Sequence, residues 1–362
     1  MLTSNFLVNL SVDFDKPTGI GTYLKNIIPH LCSLNPTLLS NKIYSEFKRY
    51  SIPRGMTSEN GKKGHFKRLF WTQYELPKIY KQISSQLLFS PVPEAPLCQK
   101  VSFVTTVHDL IPVRFPGRFS PLSFYYQYYV PQVCRQAQHI LTVSQSTADD
   151  LVTTYGISSQ KITPILLAYD SKYFQPMAVK STEFYFLYIG RHDSHKNLKR
   201  LIDAFYQFQK NTAYKDVQLK LVGPIDQRYT PQLKQQIQEL DLEGSVKFLN
   251  YTPYSALPKI ISGAIALVFP SLWEGFGLPV LEAMACGTPV ITSNLSSLPE
   301  VAGDAAILVN PYHTDEIADA MQVIIKDSSL RQNLVDKGLA RAKLFSWEKT
   351  GQATVEILEH FL

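Results

Sequence analysis

The chain is poor in cysteine, has no apolar run long enough to cross a bilayer, and shows no internal repeat or low-complexity tract. Its four cysteines, Cys32, Cys98, Cys134 and Cys286, lie far apart and form no C-x-x-C pair, so nothing signals a zinc site or a redox couple, and a reducing cytosol fits best. The longest uncharged apolar stretch, Ile260 to Trp273, has 14 residues and includes Pro270. A bilayer needs roughly 20. The first ten residues lack a basic n-region and a small-residue cleavage site, so they read as a first core strand and not as a signal peptide. Forty-five per cent hydrophobic residues exclude disorder, and 362 residues exceed one core. Two domains of about 150 to 180 residues are expected.

Acidic residues are scarce in the first half. Residues 1–180 hold 19 Lys/Arg against 10 Asp/Glu, a net +9, whereas residues 181–362 hold 17 against 20, a net −3. Between Lys42 and Arg68, eight basic residues face only Glu46 and Glu59, and Phe66, Phe70 and Trp71 accompany them. Such a stretch suits an anionic membrane surface or a lipid-diphosphate acceptor, and is read equally as a solvated loop. Nucleic acid is not an expected partner, because the overall net charge of +6 is modest and no binding motif is present.

Apolar runs alternate with helix-like segments throughout, the pattern of doubly wound α/β domains. In the first half, strands are expected at Phe6 to Leu10, Gln86 to Phe89, Phe103 to Val107 and His139 to Val143, and helices at Gly21 to Leu34 and Pro121 to Gln138. The alternation restarts at Phe184 to Gly190 and continues at Leu219 to Gly223, Val246 to Leu249 and Ala264 to Phe269. A hinge is expected near Gln175 to Ser181, and Trp347 to Leu362 reads as a helix.

The most informative segment is Glu274-Gly-Phe-Gly-Leu-Pro-Val-Leu-Glu282, between the apolar run Gly263 to Pro270 and the next, Val290-Ile-Thr. A buried strand should end near Pro270, and Pro279 suits the first turn of a helix that Gly287-Thr-Pro289 stops. The N–H groups of Gly277 and Leu278 then point out of the helix start, where the dipole favours a diphosphate. Gly275 and Gly277 permit close approach. Glu282 suits ribose hydroxyls and Glu274 the hydroxyls of a transferred sugar; an ordinary capped helix with two solvated glutamates is the alternative.

This segment resembles the E-x7-E signature of retaining glycosyltransferases, family 4 in particular, and among them bacterial nucleotide-sugar-dependent mannosyltransferases. The resemblance runs from Pro17-Thr-Gly-Ile-Gly-Thr-Tyr23 through Gly190-Arg-His-Asp-Ser-His-Lys-Asn-Leu198 to Phe345-Ser-Trp-Glu348. It implies the α/β GT-B fold: two Rossmann-like doubly wound domains facing a central cleft. Residues 1–178 would be the acceptor-binding domain, 179–344 the nucleotide-sugar donor domain, and 345–362 a helix crossing back to the first. It implies a cytoplasmic hexosyltransferase, peripheral at the inner face of the membrane, acting in cell-envelope or polysaccharide synthesis with a glycan or lipid-linked acceptor. GDP-mannose or a UDP-hexose would be the donor, with no cofactor and no metal. Carried over by position, Glu274 contacts the donor sugar, Gly277 and Leu278 the diphosphate, Glu282 takes the ribose, Arg191 and Lys196 hold the phosphates, and Phe276 is a further donor-binding residue. His108 would approach the donor sugar, and Gly19 and Gly21 would line the cleft opposite the donor.

The residues bear on each of these roles. Arg191 and Lys196 follow an expected strand, where fixed cations would stabilise the charge growing on a leaving diphosphate. His108-Asp109 ends another strand, at the edge where open α/β sheets bind ligands; a structural His–Asp pair is the alternative. Gly19-Ile-Gly21 lacks the third glycine of a dinucleotide fingerprint, since Leu24 stands there, which disfavours NAD; Gly19 is read equally as a turn residue. His192 and His195 have no third partner for a metal. Asp13-Phe-Asp15 matches a three-residue metal motif but precedes a turn. Eight positions with a helix start between them separate Glu274 and Glu282 by about 10 Å or more, too far for the carboxylate pair of a retaining glycosidase. A nucleotide-sugar epimerase and a non-catalytic sugar-nucleotide-binding protein are the rival readings, and the full set Arg191, Lys196, Glu274 and Glu282 argues against the second.

Overall fold

The computed structural model describes residues 5–12, 19–57, 60–97, 100–117, 120–179, 183–210, 212–250 and 252–362. Asp13 and Asp15 lie outside the described residues. The chain divides into two compact units, Met1–Leu167 with Ser346–Leu362, and Ala168–Phe345.

The first unit is built on seven strands: β1 Phe6–Asn9, β2 Thr37–Leu39, β3 Lys48–Tyr50, β4 Leu87–Ser90, β5 Phe103–Val107, β6 His139–Thr142 and β7 Ile162–Pro164. They pair in parallel in the order β3-β2-β1-β4-β5-β6-β7. Every residue of β1, β4 and β5 is buried, which is why these strands read as continuous apolar runs. The strands β2, β3 and β7 were not anticipated, because three residues at or near an edge leave no such run. Helix α1, Gly19–Ile27, passes into tighter 3₁₀ turns over Ile28–Leu34, where Pro29 lacks the N–H an α-helix would use. The segment expected as one helix from Pro121 is helical to Gln136 but widens to a π turn at Tyr125–Tyr129, ahead of Pro131, which has no N–H to donate back to Gln127. The C-terminal helix Trp347–His360 is capped by Ser346 Oγ, which accepts from the Lys349 N–H. Thr350 Oγ1 donates to Leu166 O at 2.7 Å, and Gly351 leaves room for the His30 ring, which would lie 2.2 Å from any Cβ there.

The second unit holds β8 Tyr185–Ile189, β9 Gln218–Val222, β10 Val246–Leu249, β11 Ala266–Phe269, β12 Val290–Ser293 and β13 Ile307–Val309, all parallel in the order β10-β9-β8-β11-β12-β13. Residues 168–178 pack with this unit: Tyr173 and Phe174 meet the Tyr254 ring edge-on at 5.5 and 5.2 Å, and Met177 N–H donates to Ser262 Oγ. The boundary expected at 178 therefore falls inside the second unit. Each sheet winds outward from a central strand and then in the opposite direction, so its switch point lies between β1 and β4 in one unit and between β8 and β11 in the other. Ligands of open α/β sheets bind outside the carboxyl ends of strands at such points.

The basic stretch expected as a loop or a charged surface proves to be partly regular structure, β3 and helix α2, Gly61–Tyr74. Arg68 is 7% exposed and donates from Nε and Nη2 to the two carboxylate oxygens of Glu94, both at 2.7 Å, and from Nη1 to Met56 O at 2.9 Å. Glu94 is itself 2% exposed. Arg68 is thus an internal ion-pair residue and not part of a membrane-facing surface, and Trp71 of the same helix is buried too.

Candidate active site

In the second unit, two loops meet outside the carboxyl ends of β8 and β11. The first follows Gly190, whose φ of 152° and whose hydrogen in place of a Cβ are both required, since a Cβ would sit 2.6 Å from the Tyr188 hydroxyl. Asn197, at φ 62°, fastens this loop by donating from Nδ2 to Pro270 O at 3.1 Å and Pro311 O at 2.6 Å. Leu272 N–H donates to His195 O at 2.7 Å. With the two loops tied in this way, Lys196 Nζ lies 2.6 and 2.8 Å from the two oxygens of Glu274. The pair is mostly sheltered, with side chains 15% and 10% exposed, and Lys196 also sits 5.5 Å from the centre of the Phe269 ring.

The loop from Glu274 to Gly277 is held from below by two serines that the sequence did not flag. Ser296 Oγ accepts from the Glu274 N–H, and the buried Ser297 hydroxyl bonds the carbonyls of Glu274 and Phe276 at 3.0 and 2.6 Å. Gly277 has φ 121°, and a Cβ there would lie 2.8 Å from Leu298 Cδ2. The helix Leu278–Ala285 starts here with Pro279 in its first turn. Val280 and Leu281 N–H return to Gly277 O, so the helix ladder leaves the Gly277 and Leu278 amides directed out of its positive end. Phe276 is 4% exposed and packs on Phe345, so it offers the site its backbone and not its ring.

Glu282 stands in the second turn of this helix. Burial pushes its carboxyl up to about 8. A carboxyl whose folded value lies above its unfolded one binds its proton more tightly when folded, so stability falls as pH rises from about 4.5 through 8. Glu282→Gln, which stays neutral, should therefore raise the melting temperature relative to wild type more at pH 8.5 than at pH 5. An equal difference at both pH values would remove Glu282 from the titration.

Arg191 is 65% exposed and donates to Asp193 at 3.0 Å. Asp193 also takes Arg228 at 3.2 Å, and Arg228 is held at 2.7 Å by Asp226. Arg228 is a cation at this rim that carries no recognisable motif. The buried His192 bonds Thr230 Oγ1 at 2.8 Å, and among the described residues no group of three or more His, Cys, Asp or Glu is placed to hold a metal ion.

In the first unit, a cavity of about 440 Å³ lies at the switch point. Val12, Val92, Glu94, His108 and Asp109, all just past the ends of β1, β4 and β5, line it. His108 Nε2 lies 2.9 Å from Pro91 O; a carbonyl only accepts, so this nitrogen carries the proton. Burial pushes the imidazole down to about 4, keeping it neutral with Nδ1 as an acceptor. His108 meets Tyr23 edge-on at 4.9 Å, and Asp109 Oδ1 accepts from the Ile111 N–H. Gly19 and Gly21 fall in the first turn of α1. Gly19 has no positive φ and open space where its Cβ would be, so the backbone gives no turn-based reason for glycine there.

The structure thus brings Lys196, Glu274, Phe276, Gly277, Leu278 and Glu282 together in the second unit, with Arg191 at the exposed rim, and puts His108, Gly19 and Gly21 in the first. Two Rossmann-like units, each on an all-parallel sheet, are the architecture of the GT-B fold. Residues 17–172 match the family model described as Glycosyltransferase Family 4, and residues 170–341 the model described as Glycosyl transferases group 1. The chain is 33% identical over 264 residues to the O-antigen chain mannosyltransferase B of Escherichia coli, covering 70% of this chain and 68% of that one. It is 29% identical over 320 residues to the O-antigen chain mannosyltransferase RfbU of Salmonella typhimurium, covering 84% and 86%. The chain belongs to this glycosyltransferase family, and the epimerase reading is not favoured. Sucrose-phosphate synthase from Thermosynechococcus elongatus shares the fold at a TM-score of 0.76 and 20% identity over 98% of both chains. HepE of Anabaena, solved with UDP-glucose, does so at 0.75 and 18% over 98% of this chain and 99% of that one.

Proposed function

We propose that this protein is a retaining hexosyltransferase that moves mannose from GDP-mannose, or failing that a hexose from its UDP donor, to a glycan or lipid-linked acceptor in polysaccharide synthesis at the inner face of a membrane. The observation that carries the reading is the sheltered Lys196–Glu274 pair beside the outward amides of Gly277 and Leu278, at the switch point of the second sheet. In this reading the diphosphate lies on those amides, Lys196 and Arg191 meet its charge, Glu274 takes hydroxyls of the sugar, and Glu282 takes the ribose. Arg191, Lys196, Glu274 and His108 act on the reacting groups; Gly19 and Gly21 admit ligand to the acceptor domain, the first unit. The anomeric carbon loses its bond to the diphosphate oxygen, that oxygen takes the proton of the acceptor hydroxyl, and the acceptor oxygen bonds the same face of the sugar. Two cations fixed by the protein supply the charge that a metal ion would otherwise bring. Mannose is favoured because both O-antigen relatives are named mannosyltransferases.

A thermal-shift panel of GDP, UDP, ADP and their sugars tests the donor, since a ligand of the native state raises its melting temperature by mass action. GDP and GDP-mannose should give the largest shifts. A shift from UDP-hexose alone would replace the donor, and no shift from any of them would end the reading.

A further inference from the structure

Helix α2 turns aromatic side chains outward and buries an arginine. Its inward face buries Gly64, Arg68, Trp71 and Thr72, with the Arg68–Glu94 pair beneath them. Its outward face carries Phe66 and Phe70, each 63% exposed, and Tyr74, 58% exposed. Spaced four residues apart, these three form one stripe, and the Phe70 and Tyr74 rings lie 4.6 Å apart. Lys62, Lys63 and Lys67 are exposed on the same side, and α2 contains no acidic residue.

A second helical stretch, from Pro121, lies alongside: Gln73 Nε2 donates to the Tyr129 hydroxyl at 2.9 Å, and His65 meets Tyr125 edge-on at 5.0 Å. It too turns apolar side chains outward, with Leu122, Phe124 and Tyr128 48%, 53% and 61% exposed and the last two rings stacked at 6.3 Å. Six large apolar side chains on two neighbouring helices are more than a soluble surface ordinarily gathers. Between these helices opens the cavity of the first unit, with Lys62 and Phe66 on one side and Leu122 and Tyr126 on the other.

We propose that the outward faces of α2 and of the segment from Pro121 form one docking surface for an anionic lipid bilayer, which sets the mouth of this cavity at the headgroup layer. Aromatic rings flanked by lysines suit that layer, because the rings enter the acyl boundary while the ammonium groups stay among anionic headgroups. A second copy of the chain fits less well, since a two-fold contact would press the same lysines against each other with no acid on α2 to offset them. The proposal deepens the reading of a lipid-linked acceptor and rests on it for its purpose, though not for its test.

The test is cosedimentation of the full chain with phosphatidylcholine vesicles with and without phosphatidylglycerol, at low and at physiological salt. Wild-type binding should rise with the anionic fraction and fall with salt. Lys62→Gln with Lys63→Gln should weaken it roughly 30-fold, from about 1 kcal/mol per basic residue. Phe66→Ser with Phe70→Ser and Tyr74→Ser should abolish it even on anionic vesicles. All these side chains are exposed, so melting temperature and nucleoside-diphosphate binding should hold. Wild-type protein that ignores anionic vesicles at low salt, or an aromatic triple variant that sediments equally well, overturns the proposal. A concentration-dependent dimer without vesicles that the same triple variant abolishes would assign the surface to a second copy. Vesicle binding without nucleotide binding would sink the transferase roles and leave this surface standing.

Discussion

Lys196→Ala should lower turnover on the order of 10²- to 10³-fold, the scale of losing one fixed charge that faces a developing anion. The size follows from shelter. Lys196 and Glu274 side chains are 15% and 10% exposed, so the ammonium acts where water screens little, and two loops tied by Asn197 and Leu272 hold it in place. Removing it also strips Glu274 of its counter-ion. Glu274→Gln should separate the two effects: turnover falls because a contact to the reacting sugar changes, while affinity for free nucleoside diphosphate is kept or rises because Lys196 no longer shares its charge. Arg191 is the comparison. It is 65% exposed, and Arg228 sits on the same aspartate, so Arg191→Ala should cost no more than about tenfold. Steady-state rates with calorimetry on each variant would check this. Lys196→Ala that turns over within about tenfold of wild type, or Arg191→Ala with the larger loss, would move the phosphate charge away from Lys196.

What could be read in the chain beforehand was what is local to it. The strands β1, β4, β5, β8 and β11 are buried on both faces, so each writes itself as an apolar run, and Gly277 and Pro279 mark a helix start within three residues. The ion pair between Lys196 and Glu274 joins positions 78 apart and was invisible, as were the Ser296 and Ser297 contacts that shape the loop. Both depend on β8, β11 and β12 lying side by side, which periodicity does not report. Charge counting failed for the same reason at Arg68, since its partner Glu94 comes 26 residues later, beyond the stretch being counted.

Arg68→Ala should destabilise the protein by about 3 to 5 kcal/mol, the usual result of removing one partner from a buried ion pair. Arg68 makes three charge-assisted contacts, two to Glu94 and one to Met56 O, and its Nη2 also reaches His65 Nδ1 at 3.0 Å. Without it, a carboxylate 2% exposed is left with only the His65 imidazole, 4.0 Å away, in place of the guanidinium. At roughly 2 to 4 °C per kcal/mol for a unit of this size, the melting temperature should fall by about 6 to 20 °C. Lysine should rescue poorly, because one ammonium cannot reproduce the planar fork that serves both carboxylate oxygens. The double variant Arg68→Met with Glu94→Leu should recover much of the loss, since removing both charges leaves no orphan. A membrane-facing arginine would behave in the opposite way, with alanine nearly neutral for folding and harmful only to vesicle binding. A melting temperature for Arg68→Ala within a degree or two of wild type, or a double variant as unstable as the single one, would return Arg68 to the surface and with it the inward orientation assigned to this face of α2.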